Sequence, residues 1–242
     1  MVERASPLDR CHLIRPGVDF SRLKPKTDRG LRAALGFEDT DQTILAVGES
    51  TAAADHRQAI WAGTIVNVLD RKTRIILWGR GPLARDAARF AANLAQPEML
   101  RLAEQHVGRS LDFEDLLPAA DMAVVSATGS VATLPIAITM AAGVPIVAAV
   151  TSTVSELLED RHTALMVPPA VPRLLGLRIL QMREDAQLRW QLTDTARTEA
   201  YEYFSLTRFL QQYREVYRQV LQGQTVQVPE PTPGAAARFR AS

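Results

Sequence analysis

Along residues 43–169, short apolar runs alternate with longer runs whose apolar residues recur every three or four positions. These are the two periodicities of strands and amphipathic helices. "TILAVGE" (43–49) reads as a strand closed at Gly48, and "DHRQAIWAGTIVNVLD" (55–70) as a helix with Ile60, Ile65, Val68 and Leu69 at helical spacing. "TRIILWGRGP" (73–82) is a second strand ended by a Gly–Pro turn, and an alanine-rich helix follows at 83–95. "DLLPAADMAVVSA" (115–127) predicts a short helix and then a strand. A helix over about 133–142, a stop at Gly143 and the strand "VPIVAAV" (144–150) come next. A short helical piece at 155–160 and a last strand in "ALMVPP" (164–169) complete the alternation.

From residue 171 the pattern is helical only. In its last stretch Ser205 is placed as an N-cap. The apolar positions beyond it, Phe209, Leu210, Tyr213, Val216, Tyr217 and Val220, are expected to cover the chain's own core; a face awaiting a partner is the other reading. Strands alternating with helices imply βαβ units, hence an α/β fold with one doubly wound parallel sheet covered on both faces and a helical C-terminus. Residues 1–30 read as an irregular N-terminal segment and 31–222 as the domain. Residues 223–242, rich in Pro, Gly and Ala, read as a disordered tail.

With 242 residues, 47% of them hydrophobic, the chain can bury a substantial core. Its net charge of +1, with acids and bases mixed, gives no support to binding nucleic acid by bulk electrostatics. Cys11 is the lone cysteine, so no internal disulfide or thiolate metal site is expected. The first twenty residues lack the apolar core of a signal peptide, and no apolar run reaches the ~18 residues needed to cross a bilayer. The expected setting is cytoplasmic.

Sheets of this kind bind ligands at the carboxyl ends of their strands, which singles out the loops 48–55, 79–83 and 126–133. In the third, Gly129 and Ser130 lead through Val131, Ala132 and Thr133 into a helix. Main-chain amides at the positive end of a helix dipole suit a phosphate; a tight turn and cap is the alternative reading of the same residues. There is no G-x-G-x-x-G and no P-loop lysine, so nicotinamide dinucleotides and ATP hydrolysis receive little support. His12, His56, His106 and His162 lack ligand spacing, and no metal is expected. No G-x-S-x-G elbow points to a hydrolase.

Seven stretches carry a family resemblance. "LIRPGVDFSRLKP" (13–25) looks like a linker of the form I-P-N-G-V-D, and "ILAVGES" (44–50) like the strand that follows it. "ILWGRGPLARDAARFA" (76–91) is similar to V-G-D-G-P-L-x-x-x-L, and "LLPAADMAVVSA" (116–127) to L-x-x-A-D-V-x-V-x-P-S. "TMAAGVPIVAA" (139–149) is close to E-A-M-A-x-G-x-P-V-V-A. "STVSELLEDRHTALMVPP" (152–169) parallels G-G-x-P-E-x-x-x-D-G-x-x-G-x-L-V-P-P, and "YFSLTRFLQQYREVY" (203–217) looks like a terminal F-S-W helix. In this order they resemble the C-terminal, Rossmann-like, donor-binding half of a GT-B retaining glycosyltransferase of the group 1 (family 4) type.

The resemblance implies a nucleoside-diphosphate-sugar ligand, hexosyl transfer and no resident cofactor. It implies Gly48, His56, Arg57, Gly129, Val131, Ala132 and Thr133 as donor-binding residues and Ser130 as the residue beside the transferred sugar. The charged positions depart from the family pattern. Its E-x7-E carboxylates fall on Ser130 and Ile138, and its two diphosphate-binding cations on Glu49 and Ala54. His56 and Arg57 are expected to substitute for those cations. Each lost donor to a developing diphosphate costs on the order of 2.7–4 kcal/mol of transition-state stabilisation. In the family a separate N-terminal domain supplies the acceptor, and this sequence starts near the linker. The expectation is therefore a donor domain with impaired chemistry that needs an N-terminal-domain subunit. The alternative is a non-catalytic scaffold or split-gene remnant.

Overall fold

A computed structural model describes residues 12–24, 30–94, 97–224 and 226. Six strands form one all-parallel sheet: β1 (Gln42–Ala46), β2 (Thr73–Leu77), β3 (Leu100–Leu102), β4 (Met122–Val125), β5 (Ile146–Ala149) and β6 (Leu165–Val167). Their order is β3-β2-β1-β4-β5-β6, so the winding direction reverses between β1 and β4. Ile44 of β1 pairs with Ile75 on one side and Met122 on the other.

The continuous apolar runs are explained by burial on both faces. Successive side chains of β1 enter opposite cores: Ile44 and Ala46 one, Leu45 and Val47 the other. The first core is roofed by α2 (His56–Asp70), α3 (Ala84–Asn93) and α8 (Pro172–Glu184). The second is roofed by α6 (Leu134–Ala141), by α9 (Ala186–Tyr203) and by the segment 111–120. That segment contains α5 (Phe113–Leu116) and follows α4 (Ala103–Val107). Below the sheet, α1 (Gly30–Ala34) sends Arg32 into the core. Its guanidinium donates to Asp121 at 3.0 Å, to Thr43 Oγ1 at 3.2 Å and to the carbonyls of Glu38, Asp39 and Asp41. This ion pair ties α1 to the starts of β1 and β4.

Several expectations change. The inner stripe of α2 is Ala59, Ile60, Ala62 and Val66, while Val68 and Leu69 face outward. Small residues win because the helix is pressed close. A Cβ on Gly63 would lie 2.5 Å from Ile75, and one on Gly176 of α8 would lie 3.4 Å from the Ala62 carbonyl. Strand β3, only three residues with Arg101 in the middle, escaped the apolar pattern; that cation guards an open sheet edge. The helical piece expected at 155–160 lies instead at α7 (Ser152–Ser155), because Thr151 Oγ1 caps it by accepting from the Val154 amide at 3.4 Å.

The last helix, α10 (Leu206–Leu221), starts at Ser205, whose Oγ accepts from the Arg208 amide at 3.3 Å. Its apolar face does not cover the core: Leu210, Tyr213, Tyr217 and Val220 are exposed. The first turns of the helix are fastened to the segment before the 3-10 turn Phe20–Arg22, and Gln212 and Gln219 further along it are buried. Leu206 N–H donates to the Val18 carbonyl at 3.0 Å, and Gly17 lies under the Phe209 ring. The expected disorder of the tail falls, except for residues 223, 224 and 226, outside the described residues. No described helix is long and apolar enough to cross a membrane.

Replacing Arg32 with Met removes the buried cation that pairs with Asp121 and donates to Thr43 and three carbonyls, leaving Asp121 with only its neutral donors from Thr43. The expected loss is about 3 kcal/mol of unfolding free energy, read as a lowered urea midpoint at unchanged slope.

Candidate functional site

The reversal between β1 and β4 places two loops side by side at the carboxyl edge of the sheet, where an open α/β sheet has its crevice. The 48–55 loop leaves β1 through Gly48, at φ +85°. It reaches α2 through Asp55, whose φ of 38° lies in the left-handed region. The 126–133 loop is stitched to it. The amides of Thr128 and Gly129 both donate to the Ala53 carbonyl, at 2.8 and 3.3 Å. Ser126 Oγ donates to the carbonyls of Ala54 and Asp55. A Cβ on Gly129 would stand 3.3 Å from that of Ala53, so the small residues permit this close approach.

The expected amide cradle is thereby narrowed. Gly129 N–H is engaged with Ala53, and Val131 N–H donates to Thr153 Oγ1 at 3.3 Å. The amides of Ala132 and Thr133 make no hydrogen bond to the described residues. They stand at the entrance of α6, where Thr133 has helical φ/ψ and Pro135 removes one N–H from the first turn. Ser130 is exposed beside them. Ile138, the position of the resembled family's second carboxylate, is buried in the core.

His56 does not provide a substitute cation. Its ring is buried and held at both nitrogens: Nε2–H donates to the Val47 carbonyl at 3.2 Å, so Nδ1 accepts from Ser50 Oγ at 2.9 Å. Burial pushes its pKa below the ordinary 6.5, against the opposing pull of the Val47 carbonyl and the Asp55 charge. Arg57 is exposed, with its guanidinium over Phe90 of α3 at 5.8 Å. It lines a cavity of about 130 Å³ with Ser50, Thr51, Leu83 and Ala87, between the starts of α2 and α3. Glu49 is exposed on the same loop.

One network escaped the sequence reading. Arg80 donates through Nε and Nη2 to Glu104 Oε1 at 2.9 and 2.8 Å, and its guanidinium sits 4.4 Å from the Trp78 ring. The hydrogen bonds to Glu104 raise the Arg80 pKa, and Arg80 lowers that of Glu104. The cation nearest the end of β2 is therefore already paired. No spacing signal links residues 24 positions apart, so only the β2–β3 pairing could reveal it. Among the described residues no group of three His, Cys, Asp or Glu could hold a metal ion.

The sequence profile described as "Glycosyl transferases group 1" matches residues 41–185, more than half of the chain, and the chain belongs to this family. No curated protein matches the sequence. Among solved structures, a glycosyltransferase from Rickettsia africae superposes with a TM-score of 0.71 at 18% identity, covering 87% of this chain and 57% of its own. The C-terminal domain of a group 1 glycosyl transferase from Francisella tularensis is covered completely by 78% of this chain, at 12% identity and a TM-score of 0.64. HepE from Anabaena, in complex with UDP-glucose, gives 0.70 at 19% identity over 86% of this chain and 57% of its own. The chain thus spans little more than half the length of the first and third. The fold is that of the Rossmann-like GT-B domain.

Because the folded His56 binds a proton less readily than the unfolded one, acid favours unfolding. Its stabilising contribution is complete above the unfolded pKa near 6.5 and falls as pH drops below it. The slope is at most about 1.4 kcal/mol per pH unit. Denaturant melts of wild type and His56→Gln between pH 7.5 and 5 should show the shallower dependence in the variant.

Proposed function

We propose that this chain is a nucleoside-diphosphate-sugar-binding domain of the group 1 glycosyltransferases, one that grips its ligand through the main chain and transfers sugar inefficiently by itself. The observation that carries this reading is a set of unengaged amides, Ala132 and Thr133 with Ser130, Leu134 and Ile136, at the start of α6 where the winding reverses. Two N–H groups at a helix entrance suit a diphosphate. The exposed hydroxyl of Ser130 stands beside them and can hydrogen-bond a sugar but cannot supply a carboxylate. The UDP-glucose held by HepE supports the ligand class.

The chemistry is weak for an electrostatic reason. Departure of a sugar leaves two negative charges on the diphosphate, and its stabilisation needs cations placed beforehand. Here Glu49 stands on the loop, His56 is buried and neutral, and Arg80 is paired with Glu104. An acceptor domain on a partner subunit completes the reading. The exposed stripe of α10 supports it, since Tyr213 and Tyr217 lie tilted beside each other at the surface, their ring centroids 6.5 Å apart, and are not buried in the core. A second reading, a scaffold that keeps the fold without the ligand, is favoured by the stitching of Thr128 and Gly129 onto Ala53, which removes two amides from the crevice.

Thermal melts with UDP-glucose and GDP-mannose separate the two. Saturable binding at ten times Kd is worth about 1.4 kcal/mol, a rise of about 3–5 °C in Tm for a domain of this size. No shift with either nucleotide sugar selects the scaffold. Thr133→Pro keeps a compatible φ of −82° and deletes the amide, and is expected to weaken binding about tenfold or more. Glu49→Arg exchanges a repelling charge for an attracting one and should tighten binding about tenfold.

A further inference from the structure

Five of the exposed large apolar side chains lie on two neighbouring helices, α2 and α8. Trp61 (49% exposed), Val68 (69%) and Leu69 (65%) lie on α2, and Leu174 and Leu177 (59%) on α8. These helices touch at Ala62 and Gly176 and roof the same face of the sheet, so their outer surfaces are continuous. Phe90 of α3 extends the ridge, its ring centroid 6.1 Å from that of Trp61. Single exposed apolar residues need no explanation, but a contiguous ridge marks a surface that meets something else.

The charge around the ridge selects what it meets. With their flanking residues, 55–72 and 172–185, the two helices hold Arg57, Arg71, Lys72, Arg173, Arg178 and Arg183 against Asp55, Asp70, Glu184 and Asp185, an excess of two cations in a chain whose net charge is +1. On α3, Arg89 is paired with Asp86 at 2.9 Å, and Arg85 adds a further cation. An apolar ridge containing Trp and Leu and rimmed by Arg is built for the boundary of an anionic bilayer. There the apolar groups enter the headgroup–acyl region and the guanidinium groups meet lipid phosphates. A second copy of the chain would instead bring two cationic rims together, which opposes self-association.

We propose that the outer face of α2 and α8 docks peripherally on an anionic lipid surface. The site is separate from the α10 stripe, which is fastened to residues 15–18 on the other side of the sheet. It is also independent of the nucleotide-sugar reading. Helix α2 begins at the carboxyl edge of the sheet, so a bilayer against its flank leaves the crevice open at that edge.

Flotation of the full chain with vesicles is the test. It should float with vesicles of phosphatidylglycerol and phosphatidylcholine in equal parts, release in high salt, and fail to float with phosphatidylcholine alone. Arg173→Gln and Arg178→Gln should each weaken binding about fivefold, the share of one basic residue near a charged membrane. The double variant Val68→Asp with Leu177→Asp should abolish it, with folding verified by circular dichroism since both positions are exposed. Leu210→Ser with Tyr217→Ser should float like wild type. The proposal is overturned by absence of flotation with anionic vesicles, or by loss in the α10 variant with retention in the α2/α8 variant. It is equally overturned by a dimer in lipid-free solution that the α2/α8 variant dissociates.

Discussion

The carbonyl of Ala53 holds the site together. By accepting from Thr128 and Gly129 it joins the loop leaving β1 to the loop leaving β4 across the line where the sheet reverses. Everything at the crevice follows from that junction. It directs the chain from Gly129 toward α6, leaves Ala132 and Thr133 among the amides of residues 130–136 that have no partner among the described residues, and requires residues without bulk on both sides of the contact. The junction works because both loops are short and spring from neighbouring parallel strands whose register is fixed by buried apolar side chains.

In the proposed reading the crevice is a backbone site. Main-chain amides and a helix dipole are rigid and need no ionised side chain, so they bind an anion without preparing for the charge that builds up as a sugar departs. The ionisable groups nearby are committed elsewhere. His56 is desolvated and serves to brace Ser50 against Val47; Arg80 closes a ring of hydrogen bonds with Glu104, Ser110 and Leu111.

Two apolar surfaces sit outside the core, on opposite sides of the sheet. The α10 stripe is aromatic and exposed at Leu210, Tyr213, Tyr217 and Val220. The α2–α8 ridge joins two helices that touch at Ala62 and Gly176 and carries an excess of arginines. They differ in charge, and for that reason they are proposed to have different occupants.

The alternation of periodicities was enough to place five of the six strands and the α/β class, because burial on both faces writes itself into continuous apolar runs. Motif order carried the family as well, since its small and apolar positions survive where the charged ones do not. What periodicity could not rank was which apolar stripe turns inward. Val68 and Leu69 lost to Ala59 and Ala62 because the approach of α2 to Ile75 and Gly176 admits only small groups, a fact of three-dimensional distance. The same holds at the crevice, where the residues from Ser126 to Thr133 read as one cradle. Tertiary contacts with Ala53 and Thr153 decided which of their amides remained open, because a hydrogen-bond donor's availability depends on acceptors far away in sequence.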